Sequence, residues 1–153
     1  MSQVPNRTKK ELLNGSIDFI NDTLKLALYD NGVSFSFDPD SHEFVSDILD
    51  SGTTAQEPTD SSYSRQDITT PSLGIDSTAE ESFFDADDVK FTSLSTTNDI
   101  QGIIVYKEIT DDTDSPVLFV IDDSDSSDLP VSTDGSDLPI EWAADGIIRK
   151  GEV

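Results

Sequence analysis

The 153-residue chain has no cysteine, one histidine, one tryptophan and only nine Lys and Arg to set against 32 Asp and Glu. The absence of cysteine excludes disulfides, thiolate zinc sites and a cysteine nucleophile. A single imidazole, His42, would have to serve every Ser/His arrangement for nucleophilic catalysis. It sits in Asp40-Ser41-His42-Glu43, where a capping or surface role at a helix start is the simpler account. No glycine-rich phosphate loop is present. No apolar run approaches the roughly 18 residues of a membrane span, and Met1 to Lys10 lacks the apolar core of a signal segment. So few cations weigh against nucleic acid as a partner, because gripping a phosphate backbone requires basic residues that displace its counterions. The expectation is a soluble, non-enzymatic protein made in the cytoplasm, with no cofactor, no nucleic acid and no membrane among its partners.

What the chain has in excess is negative charge. The acids are 24 Asp and 8 Glu against 6 Lys and 3 Arg, a formal net charge of −23. At low ionic strength such a surface repels itself, whereas in molar salt the Debye length shrinks to roughly 3 Å and the repulsion is screened. The composition therefore points to a salt-loving host. High charge with many Ser, Thr and Asp is also how a disordered chain looks, but the apolar residues are ordered in a way that disorder does not need. Leu24, Leu26 and Leu28 share one side of a period-two segment. Val33, Phe35 and Phe37 do the same, and so do Val117, Phe119 and Ile121, with Leu118 and Val120 on the opposite face.

Along the chain, Thr8 followed by Glu11 reads as a capping box opening a short helix over Lys9 to Leu13, closed by Asn14-Gly15. Arg7, Lys9 and Lys10 place three of the nine cations beside Leu12 and Leu13. The bland account of that cluster is a solvated helix end; the functional one is a basic foot that docks on an acidic neighbour. Thr23 to Tyr29 and Val33 to Phe37 read as a hairpin about Asp30-Asn31-Gly32, and Phe44, Val45, Ile48 and Leu49 have helical spacing. Residues 50–81 are poor in apolar density and form an acidic surface excursion, with a short strand near Tyr63 to Ile68. Alternation returns at Asp88 to Ser95, at Ile103 to Ile109 and at Pro116 to Asp122, the last two joined as an antiparallel pair. Ile140, Trp142, Ile147 and Ile148 supply closing strands. The predicted core includes Leu24, Leu26, Leu28, Phe35, Val117, Phe119 and Trp142. The whole reads as mainly β, an antiparallel β-sandwich or small barrel with a short N-terminal helix. Residues 1–15 form an N-terminal attachment segment and 16–153 a single β-rich domain.

Asp85, Asp87 and Asp88, and Asp122, Asp123, Asp125 and Asp128, offer oxygen ligands at short spacing that calcium would accept. They lack the glycine and distal glutamate of the familiar calcium loop, so a solvated loop holding hydrated sodium or potassium loosely is the simpler reading.

The run Leu12-Leu13-Asn14-Gly15-Ser16-Ile17-Asp18, leading into Asp22 to Tyr29, resembles the opening of small virion structural proteins of tailed viruses. Phe84 to Phe91, Gly102 to Lys107, Pro116-Val117-Leu118 and Ile140 to Ile148 follow in the same order. The resemblance implies a β-rich, non-enzymatic head or head–tail component, here from a haloarchaeal tailed virus: a capsid decoration or turret protein, or else a neck or tail component. It implies residence in the virion, assembly as a homo-oligomer, and the major capsid or neck proteins as partners, with Arg7 to Leu13 as attachment. Ser51 to Ser62 is longer than that pattern calls for. A carbohydrate-binding or hydrolytic β-sandwich of a halophile is the alternative from another class.

With −23 charges on a modest core, circular dichroism should show a cooperative, β-rich fold in molar KCl and loss of cooperativity at low salt. Equal thermal stability at ~0.1 M and ~3 M salt would contradict the halophilic reading.

Overall fold

A computed structural model of the chain describes residues 3–30, 32, 34–49, 55–122 and 126–150. In chain order the elements are α1 (Asn6–Asn14), β1 (Leu24–Asp30), α2 (Val45–Ile48), β2 (Gln66–Asp67), β3 (Ser72–Asp76), β4 (Glu81–Asp85), β5 (Val89–Phe91), β6 (Ile100–Lys107), β7 (Val117–Asp122), β8 (Leu138–Ile140) and β9 (Ile148–Lys150). The protein is mainly β, all strand pairings are antiparallel, and a short helix stands at its N-terminal end.

The centre is a four-stranded sheet in the order β2-β1-β6-β7, joined by a three-stranded sheet β3-β4-β9 and the pair β5-β8. β1 and β6 are apolar on both faces, so each face of the large sheet carries its own core. On one face Leu24, Leu26, Leu28, Ile103 and Val105 pack against Phe84, Val89 and Phe91 of the smaller sheets, giving a two-layered arrangement. On the other face Ala27, Tyr29, Ile104 and Tyr106 are covered by Phe37, Ala55 and the α2 residues Val45 and Ile48. No barrel closes among the described residues, because β2 and β7 end the large sheet on opposite sides without pairing to each other.

Several expectations meet a different outcome. Thr8 caps nothing: the helix begins after Pro5, whose missing N–H costs nothing at a helix start, and Thr8 lies fully buried inside α1, where its hydroxyl donates to the Val117 carbonyl. Gly15 does close the helix in the left-handed region, at φ 74°. The hairpin over 23–37 does not form. Both edges of β1 are taken, by β2 and β6, so residues 34–38 run irregularly and Phe35 and Phe37 lie over the second core instead. Val33 lies outside the described residues. Phe35 is only half-buried, its ring edge-on to Tyr29 at 5.3 Å. Trp142 is likewise half-buried, packed against the first core with its indole N–H given to the Asp87 carbonyl at 3.0 Å. The other five predicted core residues, Leu24, Leu26, Leu28, Val117 and Phe119, are buried.

Simple alternation fails along β7. Val105 pairs with Phe119 and Tyr106 with Val117, so Leu118 is an extra residue, a bulge. The bulge sends Leu118 and Phe119 into the first core, and Val117 and Val120 into the second. The excursion after residue 50 also holds more order than its composition suggests, since β3 and β4 pair over all five of their residues. Phe119→Ala should cost ~3–5 kcal/mol, and the half-wetted Phe35→Ala only ~1–2 kcal/mol, read from denaturant unfolding in molar salt.

Candidate functional site

Most of the described cations are engaged by the chain's own carboxylates. Among the described side chains Arg7 pairs with Glu11, Lys25 with Asp67 and Glu108, Lys90 with Asp137, and Lys107 with Asp22. Arg65 is gripped by two carboxylates, Glu57 at 2.7 and 2.8 Å and Asp112 at 2.6 and 2.7 Å, and donates to the Tyr106 hydroxyl at 3.2 Å. These bonds favour the charged guanidinium and hold it well above its ordinary pKa. Arg149 ties Asp76, Glu81 and Asp145 together at 2.6–2.9 Å.

Lys9 and Lys10 are the exceptions among the described cations. Lys9 donates to Asn6 Oδ1 at 2.8 Å, and neither lysine meets a carboxylate. Both are exposed on α1, where Leu13 lies one helical turn from each of them and is 78% exposed. Leu12, 40% exposed, turns toward an apolar groove that it shares with Phe19, Leu73 and Phe84. Arg7 stands apart from this group, because its guanidinium lies 4.4 Å above the Phe44 ring and is bound to Glu11. The helix is firmly seated. Gln3 exchanges backbone hydrogen bonds of 2.8 Å with Val120, and Thr8 is anchored on Val117, so residues 3–8 are built into the flank of β7. Of the five predicted attachment residues, the fold brings Lys9, Lys10 and Leu13 to one outward surface, turns Leu12 toward the neighbouring groove and uses Arg7 for seating.

The acidic candidates are dispersed into structural tasks. Asp87 accepts from the Thr70 hydroxyl at 2.6 Å, Asp88 from the Trp142 amide at 2.8 Å, and Asp122 is buried beside Gln3, whose amide reaches it at 3.1 Å. Asp85 ends β4, and Asp128 is exposed. Asp123 and Asp125 lie outside the described residues. No group of three or more His, Asp or Glu among the described residues is placed to hold a metal ion, and no helix among them is long and apolar enough to cross a membrane.

A cleft of about 540 Å³ opens beside Trp142, floored by Ile103, Ile121 and Ile140, with Asp128 and Glu141 at its lining. His42 is a turn residue: Nδ1 accepts from the Asp38 amide at 2.8 Å, and the ring packs between Phe35 and Phe37 at 5.0 and 5.7 Å.

No protein-family model matches the chain, and neither does any curated protein or solved structure.

Burial lowers the His42 pKa despite the opposing pull of Asp38 and Asp47. A base with a depressed folded pKa contributes stability that is complete above the unfolded value of about 6.5 and lost as pH falls through the folded one. His42→Gln, which can still accept from Asp38, should flatten the decline in melting temperature between about pH 6.5 and the carboxylate range. An unchanged profile would remove His42 from the account.

Proposed function

We propose that the protein is a non-enzymatic virion structural protein of a halophilic tailed virus, a capsid decoration or turret component that assembles as a homo-oligomer on the major capsid or neck proteins. A neck or tail position is the variant of the same reading. The observation that carries it is the outward face of α1. In a chain that engages its other described cations with its own carboxylates, Lys9 and Lys10 stand free of them, next to an exposed leucine. A surface of two lysines and an apolar anchor suits an acidic protein shell, where charge gives orientation and the leucines give attraction that survives molar salt. Weak contacts of this kind suffice on a lattice, because each is multiplied by the number of copies.

The test is incorporation into particles. Lys9→Glu with Lys10→Glu and Leu13→Ser changes only exposed positions, so the fold by circular dichroism should be unchanged while the protein is lost from purified particles. Incorporation at normal copy number would refute attachment through α1. The Trp142 cleft favours the other class, a carbohydrate-binding β-sandwich. Its arm of the test is a shift in the emission of this lone tryptophan on titration with oligosaccharides, which the virion reading does not expect.

A further inference from the structure

We propose that β3 is a self-pairing edge: two copies of the chain join antiparallel through Ser72–Asp76 about a two-fold axis at Gly74, making one continuous sheet across the dimer. The inference names the surface behind the proposed homo-oligomer, and it concerns the chain with itself rather than with any particle.

An open strand edge invites pairing with another chain, and folds normally blunt it by covering it, shortening it, or placing charge, proline or a bulge within it. This fold does so elsewhere. The outer side of β7 is occupied by Gln3, and the start of β7 is held by Glu43, whose carbonyl accepts from Val117 N–H at 2.9 Å. β2 is two residues long, and β5 and β8 are three each. β3 is blunted only at its ends, by Pro71 just before it and by Asp76 as its last residue. It runs five residues, pairs among the described residues with β4 alone, and shows no register shift. From Ile68 to Ile75 there is no charged residue, in a chain of net charge −23. Leu73 is 60% exposed and Ile75 82%, the latter the most exposed large apolar side chain among the described residues.

The strand is complementary to itself. With Gly74 opposite Gly74, Leu73 faces Ile75 of the second copy and the reverse, on the same face of the sheet, and Ser72 faces Asp76. Asp76 brings no uncompensated repulsion, since its carboxylate is held by Arg149 at 2.7 Å and accepts the Thr78 and Ala79 amides at 2.9 and 3.1 Å. Pro71 has no N–H to continue the ladder, so the register ends at Ser72. At the centre the Phe83 ring lies over Gly74 and leaves no room for a Cβ, so the opposite face is left to the two Leu–Ile pairs. An isologous contact of this kind closes at two copies.

The absence of cysteine makes the register directly testable, because introduced thiols would be the only ones. In molar KCl the wild-type chain should sediment as a dimer, and Ile75→Lys, at an exposed position, as a monomer with an unchanged circular dichroism spectrum. Leu73→Cys and Ile75→Cys, prepared separately and mixed under mild oxidation, should join through a 73–75 disulfide. Either variant alone should not, because like positions in this register stand roughly 8 Å apart, beyond the ~7 Å limit for a disulfide. A wild-type monomer, a dimer indifferent to Ile75→Lys, or cross-linking that is as efficient in the single variants as in the mixture would each overturn the proposal. Particle incorporation reads the α1 face separately, so the two readings fail independently.

Discussion

The antiparallel register of β1 against β6 is the constraint on which the rest of the structure depends. Leu24 lies opposite Lys107 and Tyr29 opposite Gly102, and from Leu26 against Val105 to Leu28 against Ile103 the pair is apolar on both faces. Because side chains alternate, a slip of one residue would exchange the two cores and seat Leu26 and Leu28 where Ala27 and Tyr29 belong. Gly102 fixes the position further: the Tyr29 ring lies across it and leaves no space for a Cβ. With this pair set, β7 adds through its bulge, α1 seats on β7, and the smaller sheets and α2 cover the two faces.

Electrostatics organises the periphery in the same spirit. A chain so poor in cations has placed most of those described where they bridge segments distant in sequence. Arg149 reaches Asp76, 73 residues away, and Arg65 reaches Asp112, 47 residues away. Single exposed ion pairs contribute little, but bidentate and branched arginine contacts fix geometry as well as charge. Each also removes carboxylate repulsion at the point where two acidic loops must approach. Lys9 and Lys10, which meet no carboxylate, stand out against this background.

What was legible in the sequence was what local pattern determines. β1, β6, β7 and α2 were visible because their apolar spacing persists over enough residues to exceed chance. The capping box at Thr8 was misread because burial against Val117 overrides a local capping preference, and no short-range rule sees that contact. The β3–β4 hairpin was missed because Gly74 and flanking Ser, Thr and Asp look like loop composition, and its apolar residues are partly directed outward. The candidate surface was half legible. The cluster of Lys9, Lys10, Leu12 and Leu13 stood out, but the engagement of the other cations depends on tertiary pairing. So does the separation of Arg7 from its neighbours, which Phe44 and Glu11 bring about.

One small feature has a disproportionate reach. The amide of Leu28, just beyond the two-residue β2, is satisfied by the Tyr63 hydroxyl at 3.0 Å, which in turn donates to Glu57 at 2.8 Å while its ring stacks on Phe91. A phenol thus stands in for the strand that the acidic excursion does not supply. Hydrogen exchange at that one amide in the middle of β1 should consequently follow opening of the loop above it rather than unfolding of the sheet. Sequence drift in the excursion is then constrained at Tyr63 and at Glu57, which accepts its hydrogen bond, and the segment that looks most expendable holds the latch on the central strand.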